Sequence, residues 1–409
     1  MYKCTRNLTY DGITMSDSTR PTPGGALSLD DIVGRDETVD RWLVVLRSGS
    51  GLLSEPRRLG KTQALKVLKA RAPADEWTVV VTSFQAASTL AEMAETAIGS
   101  MMNAAGAGTR MWMSLKAFGS TVSQFGFTLN DGTSFSLSPV FIDDPLSALE
   151  KVLVAAARNQ DGSMLLLAWD EVPDMVSAIA ANEGKASAIR LLRMLRRWRE
   201  DPRLGAIRWI LTGSVGLHHV VRQLAITVDV TNDLQNLRLG PLGPDDAAIV
   251  ARKTLRGAGI IAPTREVVLA LVEISDGIPF VIHLVAVAVE ESRVVEISAP
   301  SLEATFLGVM RDLDHSKQLT PLLTRVSGFY GPDDVLAESL LDHTCTGSRS
   351  FVELCDLGAE KADASVRDVE RVLGLLVLDH YLVDDGSCRW RYDVLRRFWA
   401  LRTRGRRSV

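Results

Sequence analysis

The sequence predicts an α/β architecture: a parallel sheet sandwiched by helices, then a helical bundle, then a C-terminal unit of helices and two strands. Three observations predict it. Between residues 51 and 214, short β-branched apolar runs alternate with segments of helical period, and strand–helix–strand order implies parallel strands covered on both faces. Beyond about residue 240 the strand signal fades and apolar residues recur at helical spacing. Near the end, "VERVLGLLVLDHYLVDDGSCRWRYDVLRRFWAL" reads as helix, strand, turn at Asp385-Gly386, strand and helix.

Each element follows in order. Residues 1–28 are polar and rich in Thr, Ser, Gly and Pro, which predicts a flexible tail with "RPTPGG" as its hinge. After Arg35, Val39, Trp42, Leu43 and Leu46 fall on one helix face. "GLLS" (51–54) is a short strand, "TQALKVLKARA" a helix and "WTVVVTSF" (77–84) a buried strand. Residues 88–118 read as helical, and 125–137 as a hairpin about Asn130-Asp131-Gly132. "DPLSALEKVLVAAARN" is a helix, and "GSMLLLAWDEV" (162–172) a buried strand ending in two acids. "KASAIRLLRMLRRWRE" is an amphipathic helix and "AIRWILTGSVG" a third core strand. The expected domains are a core over 29–240, a helical lid over 241–316 and a winged-helix domain with a basic tail over 317–409.

Bulk properties narrow the function classes. A hydrophobic content of 46% over 409 residues supports two or three packed domains and excludes a disordered chain. A formal net charge of -4 gives no global attraction to nucleic acid or anionic lipid. Cys4, Cys345, Cys355 and Cys388 are scattered without a CxxC pair, which argues against a disulfide framework or zinc site and fits a reducing cytoplasm. No signal-peptide run is read at the N-terminus, and no stretch reaches the length of a membrane span. The most apolar candidate is interrupted by Glu273, Asp276, Gly277 and Pro279.

Chemistry concentrates in "LLSEPRRLGKTQAL". A phosphate-binding loop works because backbone N–H groups converge at a helix N-terminus, where the helix dipole adds positive potential. Pro56, Arg57, Arg58, Leu59, Gly60, Lys61, Thr62 and Gln63 are the expected cradle. Lys61 would reach the β- and γ-phosphates, and the Thr62 hydroxyl would ligate Mg²⁺. Gly-Lys-Thr alone occurs often by chance. Between a strand and a helix, and upstream of a strand ending in Asp170-Glu171, it is far more specific. Asp170 would hold Mg²⁺ through water, and Glu171 would polarise the attacking water. Alone, the two acids would serve equally well to cap the next helix. At the third strand end, Ser214 or Thr212 can stand between the second carboxylate and the γ-phosphate.

These residues resemble a known family. "IVGRDETVDRWL", "PRRLGKT", "LLLAWDE", "RWILTGS", "LGPLGPDDAAIV" and "DGIPFVIHL" occur in the order seen in AAA+-like ATPases of the P-loop NTPase fold. They look most like the archaeal-ATPase and STAND branch, over about residues 30–290, extended to roughly 400 by the winged helix. The resemblance implies a nucleotide-operated switch binding ATP or ADP with Mg²⁺. It also implies that Val33, Gly34 and Arg35 lie near the adenine and ribose, and that Pro279 of Gly277-Ile278-Pro279 packs by the nucleotide.

Two departures matter. Glu55 stands where the loop's first glycine is expected; a Cβ is awkward there, and a carboxylate near phosphates is repulsive, so Glu55 would weaken ATP binding, or it would point outward and do little. The lid stretch has His283 in place of a phosphate-sensing arginine, which favours a STAND-like switch over a motor.

Basic features leave partners open. The helix 185–200 buries Ile189, Leu192, Leu195 and Trp198 and carries Arg190, Arg193, Arg196, Arg197 and Arg199 opposite them. One of these, or Arg222, could act on a neighbour's ATP as an arginine finger in a homo-oligomer, although a solvated basic face is the simpler reading. From Arg389 onward, eight arginines interleave with Trp390, Tyr392, Phe398 and Trp399, so DNA binding through the winged helix is one expectation and a packed wing another. Three functions remain: a hydrolysing ATPase switch acting on a protein partner or effector chain, for example in antiphage defence; a DNA-associated AAA+ ATPase; and a non-hydrolysing nucleotide-binding scaffold. The first is preferred.

Overall fold

A computed structural model of the chain describes residues 18–105, 127–128, 134–135, 144–158, 160, 162–213, 216–226, 230–320, 323 and 326–407. It divides into two compact units, one formed by residues 1–33 with 241–319 and the other by 34–240 with 320–409.

In the larger unit, α1 (Asp36–Ser48) buries Val39, Trp42, Leu43 and Leu46, the stripe expected from their spacing. It leads into β1 (Gly51–Ser54), α2 (Lys61–Arg71), β2 (Trp77–Ser83) and α3 (Leu90–Ala105). The hairpin strands β3 (Phe127–Thr128) and β4 (Ser134–Phe135) pair antiparallel. Their turn residues, and 106–118 of the expected helix, lie outside the described residues. Then come α4 (Pro145–Ala157), β5 (Met164–Asp170), α5 (Val172–Asn182), α6 (Lys185–Glu200), β6 (Ile207–Gly213), α7 (Leu217–Gln223) and β7 (Gln235–Asn236).

The sheet order is β2-β5-β6-β1-β7, with every neighbour parallel. Interior strand β5 is buried from Leu165 to Asp170, which explains its unbroken apolar run. Trp169 packs edge-on to Phe84, with ring centroids 5.0 Å apart. Register aligns the carboxyl ends of the strands: Ser83 pairs with Asp170, Trp169 with Leu211, and Leu53 with Thr212. Parallel strands leave their carboxyl ends on one edge, so the residues after β1, β5 and β6 are neighbours there. The basic helix α6 buries Ala188, Leu191, Leu192, Leu195 and Trp198, while Ile189 is only partly covered.

The helical unit comprises α8 (Pro244–Gly257), α9 (Arg265–Ile274), α10 (Pro279–Ser292), α11 (Ala299–Arg311) and α12 (Leu313–Leu319). Its N-terminal segment corrects an expectation. Residues 18–28 are not a loose tail in their described part. Thr19 N donates to Lys253 O at 3.0 Å, Thr19 Oγ1 to Asp31 at 2.7 Å, and Thr22 N to His283 Nδ1 at 3.1 Å. Gly257 permits this approach, since a Cβ there would stand 2.0 Å from Thr19 O. Low hydrophobicity suggested a tail, but backbone pairing holds the segment without needing apolar side chains. No helix among the described residues is long and apolar enough to cross a membrane.

The larger unit is completed by α13 (Val326–Phe329), α14 (Asp334–Thr344), α15 (Phe351–Ala362), α16 (Val366–Leu378), the hairpin β8 (Leu382–Asp384) and β9 (Cys388–Trp390), and α17 (Asp393–Arg407). Ser350 with Glu353 and Ser365 with Asp368 form reciprocal capping boxes that start α15 and α16. Helix, strand, turn, strand and helix follow in the expected order. Trp390, Tyr392, Phe398 and Trp399 are buried, so the aromatics among the C-terminal arginines are core.

Burial of His283 has a consequence for stability. Desolvation lowers its pKa to about 4, against a smaller opposing influence of Asp31. The unfolded chain therefore binds a proton that the folded one does not between that value and the ordinary value of 6.5. Stability is full above pH 6.5 and falls as pH drops towards 4, by about 2 kcal/mol at pH 5. His283→Gln, which keeps an acceptor for Thr22 N but cannot take up that proton, is expected to flatten this pH dependence in urea melts between pH 7.5 and 5.

Candidate functional site

The loop after β1 is built by backbone geometry and three buried charged side chains, Arg35, Glu55 and Lys61. Gly60 is left-handed, with φ 92°, and is the N-cap of α2. A Cβ there would meet nothing nearer than 3.8 Å, so the conformation, not crowding, calls for glycine. Arg58 is also left-handed, with φ 71°, an uncommon state for a residue with a side chain. Gly60 supplies no side-chain cap to α2, which suits a helix N-terminus that receives an anion. Lys61 is buried, and its Nζ donates to Glu55 O at 2.5 Å and Pro56 O at 2.9 Å, folded along its own loop.

Arg35 lies beneath the loop. Its guanidinium donates to Leu59 O at 2.8 Å, Gly240 O at 3.1 Å and Leu239 O at 3.5 Å, tying the start of α1 to the loop and to the chain leaving β7. The resemblance placed Arg35 near adenine and ribose; the structure gives it these carbonyls.

Asp170, at the end of β5, joins the sheet edge. Its Oδ2 accepts from the Thr62 hydroxyl at 3.0 Å, and its Oδ1 from the Thr212 hydroxyl at 2.5 Å and Glu171 N at 3.1 Å. Hydroxyl and carboxylate oxygens are the hard donors that Mg²⁺ takes, so Thr62 and Asp170 fit that ion chemically. Glu171 follows in a left-handed conformation, φ 61°, as the N-cap of α5. Burial raises its pKa above the ordinary carboxylate value, Asp174 and Asp170 add to this, and Lys61 opposes it.

Glu55 faces Leu239 and His380. It is buried, and its Oε1 accepts from Leu239 N at 3.0 Å. Its Oε2 lies 3.7 Å from His380 Nε2.

The structure thus brings together Pro56 to Gln63, Arg35, Asp170, Glu171 and Thr212. Ser214 lies outside the described residues, while its alternative Thr212 holds Asp170. Val33 and Pro279 belong to the helical unit. There Pro279 opens α10, and left-handed Gly277 passes close to Leu242, whose N–H donates to Gly277 O at 2.9 Å. Most of the arginine-finger candidates have partners within the chain: Arg190 with Asp144, Arg196 with Glu200, Arg197 with Glu150, Arg199 with Asp233, and Arg222 with Asp333.

No protein-family model and no curated protein matches the chain. Among solved structures, a Walker-type ATPase of Pyrococcus abyssi is similar at 17% identity, with a TM-score of 0.59 over 94% of this chain and 99% of that one. The Aeropyrum pernix ORC2 protein, in ADPNP–ADP complexes, is similar at 14% identity, with a TM-score of 0.44 over 92% of this chain and 94% of that one. Pyrobaculum aerophilum Cdc6p follows at 12% identity and 0.37, over 91% and 94%. The fold is shared with the Walker-type ATPase of Pyrococcus abyssi.

Sequence reasoning missed a junction between α7 and the C-terminal helices. Asp379 lies 2.6 Å from His219 Nε2 and 3.2 Å from His218 Nε2, and it accepts from the Tyr330 hydroxyl at 2.7 Å. Burial would raise the Asp379 pKa, but the hydrogen bonds from His218 and His219 outweigh it and hold the carboxyl well below the usual range. The three His and Asp ligand atoms lie within 4.8 Å of one another, as in a metal site. The hydrogen-bond distances already account for their arrangement. Only one hint existed in the sequence: the polar pair Asp379-His380 between the apolar runs "LLVL" and "YLV".

Arg35→Met is expected to cost about 2–3 kcal/mol, because it strips a charged donor from buried carbonyls without replacing it. Urea unfolding measures this.

Proposed function

We propose that the protein is an ATP-binding, slowly hydrolysing molecular switch of the AAA+/STAND-like kind. The observation that carries this is the Asp170 carboxylate, shared between Thr62 at the start of α2 and Thr212 at the end of β6, with Glu171 beside it. Lys61 and the N-terminus of α2 bind the β- and γ-phosphates. Thr62 and Asp170 would hold Mg²⁺, which when bound would supply charge neutralisation for the phosphates. Glu171, its pKa raised, accepts the proton of a water that attacks the γ-phosphorus as the bond to the ADP oxygen breaks.

The C-terminal helices and hairpin are read as a winged helix. They rest on the same unit as the loop, which suits coupling between the nucleotide and an output. The output belongs to a partner or effector protein, with signalling or antiphage defence as the setting, and the site of action is the cytoplasm. A DNA-binding role is less favoured: the C-terminal aromatics are buried, and Arg389 and Arg396 pair with Asp385 and Asp393.

Glu171→Gln is expected to lower kcat about 100-fold while leaving ATP affinity within three-fold, the signature of a lost general base. Lys61→Ala should abolish detectable ATP binding at micromolar concentration, measured by fluorescent-nucleotide titration. Turnover unchanged by Glu171→Gln would argue against the hydrolytic role, leaving the scaffold reading.

A further inference from the structure

Asp379 and His380 are consecutive residues just beyond the end of α16, and they reach two different parts of the sheet edge. Asp379 engages His218 and His219 of α7, the helix that follows the Thr212 strand. His380 is left-handed, with φ 63°, which turns its side chain out of the helical path. Its Nε2 lies 2.8 Å from Ser54 O, the last carbonyl of β1, and 3.7 Å from Glu55 Oε2. A neutral or charged imidazole carrying a proton on Nε2 donates to that carbonyl. Glu55 Oε2 is buried and has no hydrogen-bond partner among the described residues, so the imidazole is the polar group facing it. The other oxygen, Oε1, holds Leu239 N. Leu239 O and Gly240 O in turn receive Arg35, whose other arm holds Leu59 O in the loop.

We propose that His380 and Glu55 are positioning residues for the phosphate loop, and that Asp379-His380 is the clasp by which the C-terminal helices set the loop's geometry. This rests on the nucleotide reading of the loop. In this arrangement Glu55 is not a decayed glycine. It is the core half of a contact with the C-terminal helices, and the path runs His380, Glu55, Leu239, Arg35, Leu59. Asp379 fixes the same pair of residues to α7, so a shift of α16 moves the exits of β1 and β6 together. The alternative view, that Glu55 repels phosphate, makes the opposite prediction for its removal.

The test uses the full chain, with KM for ATP, kcat, release of a fluorescent ADP analogue, and melting temperature without nucleotide. Glu55→Gly is expected to raise KM and speed ADP release about ten-fold, where simple relief of repulsion would lower KM. His380→Ala should do the same, with kcat changed much less than KM. Combined with Glu55→Gly it should add less than two-fold, because both break one path. His380→Gln, whose amide can donate to Ser54 O, should restore ADP release to within three-fold of the unaltered protein. Tighter ATP binding in Glu55→Gly overturns the proposal. So does a melting-temperature loss in His380→Ala with KM and ADP release unmoved, or full additivity of the two changes. If the unaltered protein binds no nucleotide at millimolar ATP, the nucleotide reading itself fails, and the clasp fails with it.

Discussion

The shared carboxylate of Asp170 is the constraint on which the rest of the site depends. One side chain accepts hydrogen bonds from Thr62, Thr212 and the backbone of Glu171. A buried carboxylate is tolerated only when such donors satisfy it. To supply them, β5 and β6 must run parallel and in register, and the loop after β1 must end at the same edge. The apolar strands, the covering helices and the left-handed turns at Gly60 and Glu171 all serve that convergence.

Around it, charged side chains act as struts for backbone. Arg35 holds three carbonyls, Lys61 holds two, and Glu55 holds one N–H. Each binds main chain that no regular secondary structure would satisfy, so the loop keeps its shape through side-chain hydrogen bonds. This also explains how a loop lacking its first glycine is built. The position needs an acceptor for Leu239 N, and a carboxylate provides one.

The C-terminal helices belong to the same compact unit as the sheet, although they are separated from it in sequence by the helical unit. Their junction is polar and bidentate in character: Asp379 with two histidines and a tyrosine, and Asp333 with Arg222 and Arg371. Polar contacts of this sort demand defined geometry but bury little apolar area.

Sequence alone determined the local elements and the chemical parts. Apolar period marked β2, β5, β6, α1 and α6, because burial on one or both faces leaves a pattern in consecutive residues. The placement of Gly60-Lys61-Thr62 and Asp170-Glu171 beside strand ends was legible because each follows or closes an apolar run. The two-residue strand β7 was not, since it forms through Gln235 N to Ser50 O and Leu237 N to Leu52 O with no apolar signature. Nor was the attachment of residues 18–28, which is made by backbone. Only the tertiary structure decided which way Glu55 points, because its partners stand 184 residues away at Leu239 and farther still at His380. The direction of a buried carboxylate is set by the donors that surround it, and those donors are assembled by the fold.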